Sequence, residues 1–334
     1  MPKLSPASRP PRRRSRVLRC GAAFVVLVAL AAYLTVQYLT GGNGTPKCTV
    51  VSADDEETSY EFTPEQAANA ATISAVGTSR ELPERAVAIA LATALQESGL
   101  RNIGHGDRDS LGLFQQRPSQ GWGTEKQIQD PVYAAGEFYD HLVKVDEYEE
   151  LALTVAAQRV QRSGYPDAYA KHEPDATLLA AALTGRAAAT LTCEGRAETA
   201  TTARAGGPEA VRSALARDFG RDAFETAGAV VGSSDGTAAG AGESPSPAAS
   251  SSPSPSAAGT MTIPVADGAK DSGSDARRRG WELAHWAVAN SSRLGIERVG
   301  YAGREWVAGG RAGEWRTAHA ASGSVDAVRI VTGQ

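Results

Sequence analysis

From Cys20 to Leu39 the chain reads CGAAFVVLVALAAYLTVQYL, twenty residues without a charge. A hydrocarbon core of about 30 Å needs about 20 apolar residues of helix, so the run predicts one transmembrane helix over 20–40. Its flank sets the direction: Lys3, Arg9, Arg12, Arg13, Arg14, Arg16 and Arg19 crowd the start, and basic residues stay on the cytoplasmic side. The run is too long for a usual signal-peptide core, and YLTGGNG after it offers no A-x-A cleavage pattern. An uncleaved signal anchor is expected, with 1–19 as a basic cytoplasmic tail and everything after residue 40 extracellular. Arg19, directly before Cys20, speaks against a lipoprotein anchor.

Cysteine usage fits that topology. Apart from Cys20 there are two cysteines, Cys48 and Cys193. Outside the cell a disulfide between them is favoured over two free buried thiols, and closing so long a loop would contribute on the order of 4 to 5 kcal/mol in the chain-entropy picture. Two cysteines without a nearby histidine pair are too few for a zinc site. The five histidines are scattered, so no metal and no other cofactor is expected. A net charge of −4 gives no reason to expect nucleic acid; the basic start is explained by topology.

Composition divides the exterior into three. Residues 46–230 alternate apolar helical patterns with short turns and read as one helical domain. Residues 232–275 contain ESPSPAASSSPSPSAAG, a Ser/Pro/Ala tract that buries too little apolar area to offset its ordering entropy and reads as a disordered linker. Residues 276–334 read as a small α+β module: a helix from Trp281 to Leu294, then strand-like IERVGYAG, REWVA and VDAVRIV. Its tryptophans, Trp281, Trp286, Trp306 and Trp315, are expected in its core.

Within 46–230, Thr63-Pro64 opens a helix over PEQAANAATISAVG, and Pro83 opens PERAVAIALATALQE, which should stop at Gly99. Asp130-Pro131 opens DPVYAAGEFYDHLVKV, and EELALTVAAQRVQRSG, TLLAAALTG and PEAVRSALARDFG supply further helices. No strand pattern of any length is legible there, so the expected class is mainly α. The loop from Asn102 to Gly123 is too long to be inert in a compact domain.

Glu97 stands at the end of the second helix. At 100° per residue Val87, Leu91 and Leu95 form the core stripe, and Glu97 lies over Ala86, Ala90 and Thr93, a face of small residues expected to leave room for a cleft. A carboxylate half-buried there has its pKa raised and can hold and donate a proton, which glycosidic bond cleavage asks of its acid.

ALQESGL, then SLGLFQQRP, then VQRSGYPDAYAKHE together resemble the soluble lytic transglycosylases and goose-type lysozymes, and a set of membrane-anchored extracellular proteins of Gram-positive bacteria. The resemblance covers roughly 60–175. It implies a lysozyme-like helical domain with Glu97 as general acid/base and Gly112, Leu113, Phe114 and Gln115 as a wall of the sugar groove. The family's Tyr-Asn signature is absent as such; Tyr165 or Tyr169 is the stand-in.

Other polar residues complete the expectation. Asp107 and Asp109 are candidate second acids or turn caps. Gln115 would bond an acetamido group or satisfy loop backbone, and Trp122 would stack on a sugar or pin the loop. Without a second carboxylate, the route is attack by the sugar's own 6-hydroxyl, giving a 1,6-anhydro product. The sequence therefore predicts a membrane-anchored enzyme that cleaves the MurNAc to GlcNAc bond of peptidoglycan. The alternative is an inactive wall-binding or scaffold protein of the envelope.

Overall fold

A computed structural model describes residues 46–54, 58–194, 206–221, 230–233, 259–265, 273–309, 314–318 and 326–333. Residues 46–334 cluster as one compact unit. The tail 1–19 and the apolar run 20–40 lie outside the described residues. Among the described ones no helix is long and apolar enough to cross a membrane.

The helix starts follow the start signals. Thr63 caps α1 (Pro64–Ser79) in a reciprocal capping box with Gln66, which satisfies two otherwise unpaired backbone donors. Helix α2 (Glu84–Ser98) stops at Gly99, whose φ of 62° is left-handed. Then come α3 (Glu125–Ile128), α4 (Pro131–Leu142) capped by Asp130, α5 (Leu153–Gln161), α6 (Glu173–Leu183) and α7 (Pro208–Phe219). Helices α1, α4, α5 and α6 all pack on α2, and every residue from Ala86 to Leu95 is buried. The small face of Ala86, Ala90 and Thr93 is therefore filled by neighbouring helices rather than left as a cleft.

The mainly α expectation is overturned by two antiparallel sheets. In the first, β1 (Lys47–Val51) lies between β2 (Ser59–Phe62) and β3 (Leu191–Glu194). These strands have four or five residues each, too short for period-2 alternation to stand out in sequence. Cys48 and Cys193 are directly opposed in the β1–β3 ladder, and they form the disulfide.

The second sheet has the order β4-β5-β9-β6-β7-β8. It comprises β4 (Val230–Ser233), β5 (Gly259–Pro264), β6 (Ile296–Tyr301), β7 (Arg304–Val307), β8 (Arg316–Thr317) and β9 (Ala327–Thr332). Within the stretch read as linker, Gly259–Pro264 pairs with both β4 and β9; residues 234–258 lie outside the described residues. Helix α8 (Gly273–Ala289), followed by α9 (Ser291–Leu294), packs on this sheet and also on α1, α6 and β3.

Two buried polar residues fix that docking. Asp218 of α7 accepts from Thr72 Oγ1 of α1 (3.1 Å) and from Trp286 Nε1 of α8 (2.9 Å). His285 of α8 lies with Nδ1 2.7 Å from the Ala182 carbonyl, and its Nε2 accepts from Thr190 N–H at 3.3 Å. Those partners require a neutral ring carrying its proton on Nδ1, and burial lowers its pKa to about 4.

Candidate functional site

The end of α2 is held from two directions. Gln66 and Asn69 of α1 donate to the carbonyls of Gly99 and Leu100 at 2.8 and 2.9 Å, satisfying groups that a helix C-terminus otherwise leaves unpaired. Ser98 Oγ lies 2.8 Å from the Leu113 carbonyl and accepts from Arg101 N–H at 3.2 Å. The serine after Glu97 is thus the joint between the helix and the long loop.

That loop is a hydrogen-bonded structure. Leu111 and Gln116 form an antiparallel bridge, Gly112 N–H donates to the Ile103 carbonyl at 2.8 Å, and Asn102 Nδ2 donates to the Gln129 carbonyl at 2.8 Å. Gly112 has φ 77°, and a Cβ there would lie 2.7 Å from the Ile128 carbonyl oxygen, so both backbone angle and space demand glycine. Leu113 and Phe114 are fully buried, with Phe114 stacked on Phe138 at 4.7 Å. Any wall they form is made of backbone, because their side chains face the core. Gln116 is buried and donates to the Ala134 carbonyl at 3.0 Å, and Gln115, at φ 48°, turns its amide back on the Gly112 carbonyl at 3.2 Å.

The chain returns to Glu97 through α5 and the segment after it. Tyr169 is fully buried, and its hydroxyl donates to Glu97 Oε1 at 2.7 Å. Gln161, the last residue of α5, donates to the Phe114 carbonyl at 2.8 Å and also hydrogen-bonds Glu97. Burial raises the pKa of Glu97, and the bonds from Tyr169 and Gln161 oppose that rise without cancelling it. The Tyr169 phenol is pushed above its ordinary range, first by burial and then by the neighbouring carboxylate. Beside this pair, His172 Nε2 and Gln96 Oε1 lie 3.1 Å apart, and burial lowers the His172 pKa.

The candidate second acids stand elsewhere. Asp107 is exposed, with Arg108 at 3.9 Å as its ionic neighbour. Asp109 accepts from Arg117 Nε at 2.7 Å and from Ser119 N–H at 2.8 Å; bonds from Ser119 and Arg117 hold its carboxyl well below the usual range. Asp109 is therefore an ionised brace of the loop, unsuited to give up a proton at neutral pH. Trp122 is half-buried against His141, with ring centroids 4.2 Å apart. Of the two tyrosines, Tyr169 reaches Glu97 and Tyr165 is 78% exposed.

Gln161 and Ser98 are the residues that sequence reasoning missed. Ser98 had a signal in its place beside Glu97; Gln161 had none beyond its position at a helix end. Among the described residues, no group of three His, Cys, Asp or Glu side chains is placed to hold a metal ion. What the arrangement offers is one half-buried carboxylic acid with neutral hydrogen-bond partners. No protein-family model matches the chain, and no curated protein matches it either.

Proposed function

We propose that this protein cleaves the glycan strands of peptidoglycan outside the cytoplasm, with Glu97 as the single general acid/base. The observation that carries the reading is the environment of Glu97: raised in pKa by burial and held in place by the Tyr169 hydroxyl at 2.7 Å. The resemblance of ALQESGL and SLGLFQQRP to lytic transglycosylases and goose-type lysozymes supports it, as does the Cys48–Cys193 disulfide, a bond of oxidising compartments.

Glu97 gives its proton to the glycosidic oxygen as the bond from C1 of MurNAc breaks. The cation-like sugar is then attacked at C1 by its own 6-hydroxyl, whose proton returns to the Glu97 carboxylate. The product ends in a 1,6-anhydro ring, and the acid is regenerated. This route asks for no second carboxylate, in keeping with Asp107 pointing to solvent and Asp109 committed to Arg117 and Ser119. Gln161 and Tyr169 hold the carboxylate in one orientation throughout.

The test is mass spectrometry of glycan fragments after incubation of peptidoglycan with the purified protein. Anhydro ends are expected, and Glu97→Gln should remove them. Reducing ends would replace the internal attack by water. Equal cleavage by the variant would end the assignment to Glu97, and glycan retention without any product would leave the wall-binding alternative.

A further inference from the structure

Helices α2 and α5 end in the same backbone conformation on different residues. Where α2 stops on left-handed Gly99, α5 stops on Arg162, whose φ of 51° is also left-handed. Glycine takes that conformation without steric cost and arginine does not, so the side chain at 162 stands there against the backbone's preference. Arg162 is exposed, and among the described residues its side chain makes no ion pair and no hydrogen bond.

Its place is fixed by its neighbours. Gln161, the residue before it, hydrogen-bonds Glu97 and donates to the Phe114 carbonyl at 2.8 Å. Tyr169 then brings the chain back to the same carboxylate at 2.7 Å, so the stretch from Gln161 to Tyr169 leaves Glu97 and returns to it. Arg162 is not among the groups that shift the Glu97 pKa. Its charge therefore stands beside the acid and bears on what binds there rather than on proton transfer.

That charge acts at the end of α4. His141 feels two cations, Lys144 and Arg162, and two acids, Glu137 and Asp140. Both acids are committed: Asp140 accepts from Arg80 Nη1 at 2.8 Å, and Glu137 hydrogen-bonds the Tyr133 hydroxyl. Lys144, like Arg162, makes no ion pair among the described residues. Two like charges gathered at one ring repel, and an anion between them turns that cost into attraction. The other face of the patch is aromatic. Trp122 stacks on His141 with ring centroids 4.2 Å apart and remains only half-buried. Its turn is set by Gly121 and Gly123, at φ 83° and 125°, and a Cβ on Gly123 would lie 2.7 Å from the Tyr133 hydroxyl.

We propose that Arg162, with Lys144 beside it and Trp122 at its edge, is a subsite that recognises a carboxylate of the strand cleaved at Glu97. The inference rests on the peptidoglycan reading of that acid. Such a strand carries carboxylates on the lactyl groups of stem-free MurNAc and on its peptide stems. A guanidinium meets a carboxylate in a planar, two-bond pair, and an indole edge suits the apolar face of a sugar. A glycan without carboxylates leaves both cations unanswered and is held more weakly.

Co-sedimentation of the full chain with insoluble peptidoglycan tests this, using strands as isolated and strands whose carboxyls have been coupled to methylamine. Blocking should weaken binding about tenfold, to the level of chitin, which has no carboxylate. Arg162→Gln should weaken binding to the isolated strands by the same factor and make the protein indifferent to blocking, and Arg162→Lys should recover part of the loss. Strands stripped of their stems by an amidase separate the two sources: Arg162-dependent binding that survives stripping assigns the lactyl carboxylate, and binding lost on stripping assigns the stem. Equal binding of blocked and unblocked strands by the unaltered protein overturns the proposal, as does an Arg162→Gln variant that still distinguishes them or the absence of any binding. The comparison of strands on the unaltered protein decides the matter even if Arg162→Gln fails to fold. Fragments formed with equal binding of both strands would fail this inference alone, whereas carboxylate-dependent binding without fragments would fail the reading of Glu97 alone.

Discussion

Glu97 and Asp109 are carboxylates on the two sides of one joint, the helix end and the loop that Ser98 ties to it, and they have opposite characters. Glu97 meets only neutral donors, Tyr169 and Gln161, in a half-buried setting, and its pKa rises. Asp109 meets a guanidinium and a backbone amide at the surface, and its pKa falls. Partner chemistry and water decide which acid holds its proton more readily, whatever the residue type. A loop rich in acids therefore does not by itself supply a second catalytic group.

Replacing each acid by its amide is the strongest way to break this contrast. Glu97→Gln should cut formation of glycan fragments by about 100-fold or more, the share usually carried by a positioned general acid. Asp109→Asn should cost roughly tenfold, the signature of lost positioning, together with faster amide exchange at Ser119. Equal losses would mean that Asp109 belongs to the chemistry.

Tyr169→Phe sharpens the account of Glu97. The hydroxyl favours the ionised carboxylate, so removing it should raise the Glu97 pKa further and move the alkaline limb of the pH–rate profile to higher pH. A limb that moves to lower pH would contradict the bond as described. The smallest effect concerns stability. Because the folded pKa of Glu97 is raised, the folded state pays for an ionised group above that pKa. Glu97→Gln should therefore stabilise the protein at pH values above the folded pKa of Glu97. The gain should vanish as pH falls toward the ordinary carboxylate range, where Glu97 is protonated as well. Thermal melting across that pH window measures it.

Local signals were legible where one residue decides the backbone. Thr63 with Pro64, Asp130 with Pro131, and Gly99 mark helix boundaries through caps and a left-handed stop, all matters of nearest neighbours. Strand β3 escaped because it exists through a partner more than a hundred residues away, and β1 and β2 because they are only five and four residues long; the Cys48–Cys193 pairing was the one visible trace of the β1–β3 ladder. The site divided in the same way. Glu97 was singled out by its place before the Gly99 stop and by the motif around it, but that Tyr169 rather than Tyr165 meets it, and Gln161 with it, needed the path by which the chain after α5 comes back to α2. Leu113 and Phe114 illustrate the converse: a motif read as a wall contributes carbonyls, while its side chains fill the core.

The disulfide has a consequence for damage. Cys48 and Cys193 enclose both ends of α2, the long loop and Tyr169 within a single covalent ring. One cut by a protease in the exposed stretch from Gly104 to Arg108 would open that ring into a still continuous molecule. It would run as one species without reductant and as two with it. A first nick in the long loop therefore leaves its two sides covalently joined through Cys48 and Cys193.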